Sequence, residues 1–264
     1  MQSYLGDGSF GNVFRAERNG VVYALKVLKK KDEPEETNFL RFQLETEILS
    51  SLNHPRVPKL VEVFSVDNNH CIVQEIIEGY PLSSLIDRGY VFSEDQVKEI
   101  VRQLLMVLKD LHCSSVPEKS VVHRDLRLSN LIMNHNRLFL IDFGFARFLD
   151  PKQFPYCPDP PIDRFLNQRK NTSMPKNKIV NDPGPRTYQS LRRDISPSSD
   201  LFGTGIIALD LFTNWVKDET DFHQPWETVL HLSPNFASFI NKLLHFGNSS
   251  FISADEAISE LKNI

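Results

Sequence analysis

The sequence predicts an α+β fold in two lobes, a small β-rich one followed by a larger, mainly helical one. Three observations carry this reading. The first quarter of the chain consists of β-branched and apolar runs separated by turn signals. After Gly79 the apolar spacing changes to that of helices. The chain has 264 residues, long for one compact unit and short for two ordinary domains, with 41% hydrophobic and 24% charged residues. We place one domain over 1–264, its small lobe to about residue 78 and its large lobe from about 79.

In the small lobe, Val21–Leu28 is a strand introduced by the turn signal Asn19-Gly20. Asn38–Leu52 has helical spacing at Phe39, Phe42, Ile48, Leu49 and Leu52, and stops before Pro55. Val57–Val66 and His70–Ile77 read as strands joined by a polar turn at Asp67-Asn68-Asn69. In the large lobe, Ser93-Glu94-Asp95-Gln96 is a capping box opening a long helix with a buried stripe from Val97 to Leu111. Leu138–Ile141 is a short strand. Asp200–Thr213 and Asn235–Phe246 are helices, the second opened by Ser233-Pro234. Ser253–Glu256 is a second capping box before a last helix. Between Asp150 and Thr187 periodicity is lost: eight of the 16 prolines lie there, and seven Lys/Arg stand against three Asp. Long irregular stretches in compact domains are functional or disordered.

A net charge of −4 gives no electrostatic reason to expect nucleic acid as a partner. Cys71, Cys113 and Cys157 form no C-x-x-C pair, which fits a reducing compartment. The eight histidines lack paired zinc-ligand spacing. No stretch has the length of a membrane span, and no signal peptide is read at the start. The expectation is a cytoplasmic protein.

Three motifs carry chemistry. Gly6-Asp7-Gly8-Ser9-Phe10-Gly11 is a turn whose backbone N–H groups can approach phosphate oxygens. A dinucleotide site would need a helix directly after the glycines. Here a strand, a turn and a second strand follow, ending in Ala24-Leu25-Lys26, which favours a phosphate cradle with a lysine. In His123-Arg124-Asp125-Leu126-Arg127-Leu128-Ser129-Asn130, the spacing D-x-x-x-x-N puts a carboxylate and an amide on one short loop. The carboxylate can take a hydroxyl proton and the amide oxygen can hold a metal. In Asp142-Phe143-Gly144, an aspartate ends a buried strand, well placed to ligate magnesium on phosphates.

In this order the three motifs resemble the eukaryotic-type protein kinase family, and the resemblance runs from Gly6 to near the C-terminus. It implies a kinase fold with ATP and Mg2+ in the cleft and phosphoryl transfer to a protein hydroxyl, with serine or threonine expected. It places Gly6, Gly8 and Gly11 over the phosphates and Lys26 on the α- and β-phosphates. The partner of Lys26 is Glu45, with Glu47 as the alternative. It makes Asp125 the catalytic base and Asn130 and Asp142 the metal ligands. Val13, Ala24 and Ile132 fit the adenine sandwich, and Val73-Gln74-Glu75 resembles the hinge, with Gln74 at the gate and Glu75 and Ile77 on the nucleotide. Leu49, Leu60, His123 and Phe143 fit the stack linking the lobes, and Asp200 braces the catalytic loop. The implied partners are a protein substrate and the chain itself through autophosphorylation.

Three departures stand out. Arg127 replaces the family's lysine; the resemblance gives it the catalytic role of neutralising the γ-phosphate, while the change from lysine leaves the choice of serine/threonine or tyrosine open. The activation segment, Asp142 to about Ser190, is long and proline-rich. Its closing A-P-E is missing: the glutamate's place falls among Tyr188-Gln189-Ser190, and its arginine partner's place falls on Phe251. These two changes together predict a packed Phe251 and a segment end held by packing and neutral hydrogen bonds. Arg124 has two open readings, a local packing role or a pairing with a phosphate at Thr172, Ser173 or Thr187. The competing class is a pseudokinase or scaffold that binds nucleotide or partners without phosphotransfer.

Overall fold

The computed structural model describes residues 3–7, 10–28, 35–67, 69–154, 157, 159, 188–245 and 249–264. Strands β1 (Ser3–Asp7), β2 (Gly11–Arg18), β3 (Val21–Leu28), β4 (Leu60–Val66) and β5 (Asn69–Glu75) form an antiparallel sheet in the order β1-β2-β3-β5-β4. The β2–β3 turn has positive φ at both Asn19 and Gly20, the backbone that an Asn-Gly hairpin requires. The register sets Val13 opposite Lys26, Arg15 opposite Ala24, Gln74 opposite Ala24 and Ile72 opposite Lys26, so these side chains share one face. Helix α1 (Glu35–Ser51) packs on β4 and β5. It buries Phe42, Leu44, Ile48 and Leu49, but also Arg41 and Glu45, while Phe39 is exposed. The apolar stripe expected through Phe39 is therefore interrupted by two charged residues that serve the cleft.

Two strands are shorter than the sequence predicts. β4 begins at Leu60, because Val57 turns back to bond the His54 carbonyl. β5 ends at Glu75, and the chain leaves the sheet through Ile76–Gly79. Gly79 has φ +134°, and a Cβ there would lie 2.4 Å from the Met133 carbonyl oxygen. Only glycine fits where the two lobes join.

The large lobe is built on α3 (Glu94–His112), whose start shows both halves of the Ser93–Gln96 capping box. Val97, Val101, Leu104, Leu105 and Leu108 are fully buried, each contributing roughly 1.5–3 kcal/mol by leaving water. Around it lie α2 (Leu82–Asp87), α4 (Tyr188–Arg193), α5 (Pro197–Asp210), α6 (Trp226–Val229), α7 (Pro234–Leu243) and α8 (Ala254–Leu261). Strands β6 (Tyr80–Pro81), β8 (Leu131–Asn134) and β9 (Arg137–Leu140) form one small sheet. β7 (Val121–Val122) and β10 (Arg147–Phe148) form another. The second capping box is incomplete: Ser253 caps Glu256 N, but the Glu256 carboxylate accepts from Ile252 N, one residue too early. Phe251 is 2% exposed, its ring 5.2 Å from that of Phe239, as its uncharged place in the interior predicts. Among the described residues no helix is long and apolar enough to cross a membrane.

Candidate active site

The motifs converge where the two lobes face each other. Lys26, on the lower face of β3, donates from Nζ to Glu45 Oε1 at 2.6 Å and to Asp142 Oδ1 at 2.7 Å. This resolves the choice in α1: Glu45 is buried beside the lysine and Glu47 faces outward. Burial alone would lower the Lys26 pKa, but the Asp142 and Glu45 carboxylates outweigh it and hold it raised. Burial, with Asp142 adding to it, pushes Glu45 up against the pull of Lys26.

The loop before β8 presents the second group. Asp125 is 1% exposed. Its Oδ1 accepts from Arg127 at 2.8 Å and from Arg193 at 3.2 Å, and its Oδ2 faces the Asn130 amide at 3.2 Å. Burial acts to raise its pKa, but Arg127, Arg193, Arg192 and His123 together lower it to about 2. Asp125 is therefore an ionised acceptor at neutral pH. Two backbone bonds hold the loop: Asp200, fully buried at the start of α5, accepts from His123 N and Arg124 N, both at 2.8 Å, and from His112 at 2.9 Å. That grip supports Arg124 at φ +65°, a conformation that L-residues rarely adopt. Asp142 likewise sits at φ +63°. Phe143 packs edge-on to the His123 ring at 4.9 Å, within the core that also takes Leu49 and Leu60.

The residues fit a magnesium nucleotide. Asn130 donates its amide N–H to Asp125, which leaves its carbonyl oxygen available as a ligand, and the Asp142 carboxylate is a second donor. Both are hard oxygen donors. Among the described residues no cluster of three His, Cys, Asp or Glu could hold a metal by itself, so such an ion would need substrate phosphates as further ligands. Val13 and Ala24 lie on the face that carries Lys26, and Gln74 Nε2 there is buried with no partner among the described residues. It is a donor suited to a heterocycle in the cleft. Ile132 lines the other side, its Cγ2 2.9 Å from where a Cβ on Gly79 would stand. Glu75 bonds Lys59 through its N–H and its carboxylate. Gly6 has open space around it. Gly11 is required by the sheet itself, since a Cβ would lie 2.6 Å from the Val27 carbonyl oxygen. Gly8 lies outside the described residues.

The family model of the protein kinase domain matches residues 1–261. The chain belongs to the protein kinase domain family. It is 31% identical to the probable serine/threonine-protein kinase YbdM of Bacillus subtilis (strain 168), over 58% of this chain and 59% of the relative. It is 26% identical to serine/threonine-protein kinase B of Synechocystis sp., over 98% of this chain and 45% of that protein. With serine/threonine-protein kinase PknA of Nostoc sp. it shares 28% identity, over 98% of this chain and 46% of the relative. The chain thus spans about half the length of the relatives it matches.

Arg147, Asp159, Arg192 and Arg193 of this kinase domain were not singled out from the sequence. Arg124 forks onto Asp159, at 2.5 and 3.2 Å, and Arg147 joins the same carboxylate at 2.9 Å. The proposed phosphate sites Thr172, Ser173 and Thr187 lie outside the described residues; the anion on Arg124 here is a carboxylate of the chain. Arg192 donates to the Leu126 carbonyl, and Arg193 to the Arg124 carbonyl at 2.9 Å. The segment end is therefore tied to the catalytic loop by guanidinium groups, where packing and neutral groups were expected. Arg127, expected to neutralise the γ-phosphate, donates to Asp125 Oδ1 at 2.8 Å. A stacked column crosses the cleft: Arg41 over Phe10 at 5.4 Å, Phe10 against Phe145 at 4.6 Å, and Arg193 over Phe145 at 3.6 Å. Gly144 admits the Phe10 ring, which would lie 2.6 Å from a Cβ there. The doublet Arg192-Arg193, just before the Ser196-Pro197 helix start, was the available signal.

Proposed function

We propose that the chain is an ATP- and Mg2+-dependent protein kinase that phosphorylates serine or threonine hydroxyls, with its small lobe ending near Glu78. The observation that carries this reading is the buried Lys26–Glu45 pair joined by Asp142 opposite the Asp125–Asn130 loop. A scaffold gains little stability from burying Lys26 and Glu45 at its cleft, because an apolar pair of similar volume would hold it as well. Magnesium, when bound, supplies positive charge to the phosphates. On this reading Lys26 holds the α- and β-phosphates and Asn130 and Asp142 supply the metal ligands. Val13, Ala24, Ile132 and the hinge backbone at Glu75 and Ile77 take the adenine. Asp125 accepts the proton of the acceptor hydroxyl as its oxygen bonds to the γ-phosphorus. The bond from that phosphorus to the β–γ bridging oxygen breaks, and ADP leaves. The relatives' names support serine or threonine as acceptor. The unpaired Cys71, Cys113 and Cys157 support a reducing, cytoplasmic setting.

The test is transfer of labelled phosphate from ATP to a generic acceptor protein and to the chain itself. Asp125→Asn should lower kcat by about 10²- to 10⁴-fold. Asp142→Asn should raise the magnesium concentration needed for half-maximal rate. An Asp125→Asn variant as fast as the wild type would remove the proposed mechanism.

A further inference from the structure

Asp125 carries an unequal load on its two oxygens. Oδ1 receives two guanidinium groups, from Arg127 within its own loop and from Arg193 at the last turn of α4. Oδ2 receives one amide N–H, at 3.2 Å. Three further contacts hold Arg193. Its guanidinium lies 3.6 Å over the Phe145 ring, its other nitrogen donates to the Arg124 carbonyl, and its own carbonyl accepts from Arg124 Nε at 2.7 Å. The two arginines thus exchange bonds across 69 residues of chain, on either side of Asp125. Burial among Arg192, Arg124 and Arg127 holds the Arg193 pKa down at about 10, so the cation persists at neutral pH.

We infer that Arg193 is a positioning residue for phosphotransfer: with Arg127 it clamps Oδ1 of Asp125 and leaves Oδ2 to meet the acceptor hydroxyl. Because Arg193 belongs to α4, that orientation exists only while the end of the activation segment is docked on the catalytic loop. A carboxylate held by Arg127 alone could turn about its Cβ–Cγ bond, and a misplacement near 1 Å at a reacting atom costs on the order of 10²-fold in rate. The inference rests on reading Asp125 as the base.

Arg193→Met, which keeps a stem to lie on Phe145, is measured in the wild-type and the Asp125→Asn backgrounds. The expected result is a fall in kcat of about 10- to 100-fold with the KM for ATP within about twofold of wild type. Arg193→Lys, which keeps the cation, should recover part of the loss. In the Asp125→Asn background Arg193→Met should cost nothing further, since it acts through that carboxylate. An unchanged kcat overturns the inference, as does an undiminished loss in the Asp125→Asn background. If Arg193→Met does not fold, Arg193→Lys is read in the same two backgrounds, and additive losses there overturn it. An Asp125→Asn variant as active as wild type overturns both this inference and the base on which it rests. A dead Asp125→Asn beside a fully active Arg193→Met overturns this inference alone.

Discussion

The two charge clusters of the cleft are near mirror images. On the small-lobe side one cation, Lys26, sits between two carboxylates, Glu45 and Asp142. On the large-lobe side one carboxylate, Asp125, sits between two cations, Arg127 and Arg193. The first cluster carries a formal surplus of one negative charge and the second a surplus of one positive charge. On the function proposed above, the surplus negative charge of the first cluster suits a metal ion and the surplus positive charge of the second suits the transferring phosphoryl group. The clusters differ in burial. Lys26 and Glu45 are cut off from water, whereas Arg127 and Arg193 keep about a third and a quarter of their side chains exposed.

That difference predicts unequal responses to losing the central residue. Lys26→Met leaves the buried Glu45 and the partly covered Asp142 carboxylate together without a cation, and should cost about 3–5 kcal/mol of unfolding free energy. Part of this is relieved when one carboxylate takes a proton. Glu45, already raised, is the one to do so, and the deficit should therefore shrink as pH falls from about 8 to about 5. Denaturant titrations at both ends of that range measure it. A deficit that stayed constant would mean that neither carboxylate depends on Lys26.

Asp125→Asn should cost less, about 1–2 kcal/mol, although it abolishes more activity. The guanidinium groups it strands reach water, and Arg193 keeps its bond to the Arg124 carbonyl. Thermal melts of the two variants side by side decide the order. If Asp125→Asn melted lower than Lys26→Met, the contrast in burial would not govern the energetics.

The small-lobe cluster and the loop of Asp125 were both legible in the sequence, for two different reasons. Asp125 and Asn130 are five residues apart on one loop, so spacing alone pairs them, whereas Glu45 and Asp142, 19 and 116 residues from Lys26, were placed by the resemblance to the kinase family. The adenine face of Val13, Ala24 and Gln74 follows from strand register. Arg193, Arg147 and Asp159 were not legible, because their partners lie 12 to 68 residues away and neither periodicity nor a motif of the family links them. The phosphate role of Arg127 came from the family position it occupies, and its bond to Asp125 was not read, because spacing says nothing about which way a guanidinium turns. Phe251 shows the opposite case. Its uncharged side chain, at a place where a charge would need a partner, was enough to place it in the core.

The smallest effect sharpens the comparison on a third carboxylate. Asp159 accepts from Arg124 and Arg147 but is itself about two-fifths exposed. Partial burial acts to raise its pKa; hydrogen bonding and charge from Arg124, and then charge from Arg147, outweigh it and hold it below the usual carboxylate range. A depressed folded value means that its contribution is fully present above the unfolded pKa, near 3.9, and is lost as pH falls through the lower folded value. Asp159→Asn should therefore cost about 1 kcal/mol at neutral pH, discounted for solvent and further reduced by salt. Its unfolding curve should converge on that of the wild type below about pH 4. The cost should also exceed that of removing an exposed pair such as Lys109–Asp255, since Arg124 and Arg147 are buried and Asp255 is not. Equal losses for Asp159→Asn and Asp255→Asn would show that the two buried arginines are satisfied by the carbonyls of Phe145, Ala146 and Cys157, which they also reach, and that Asp159 adds charge without holding the segment.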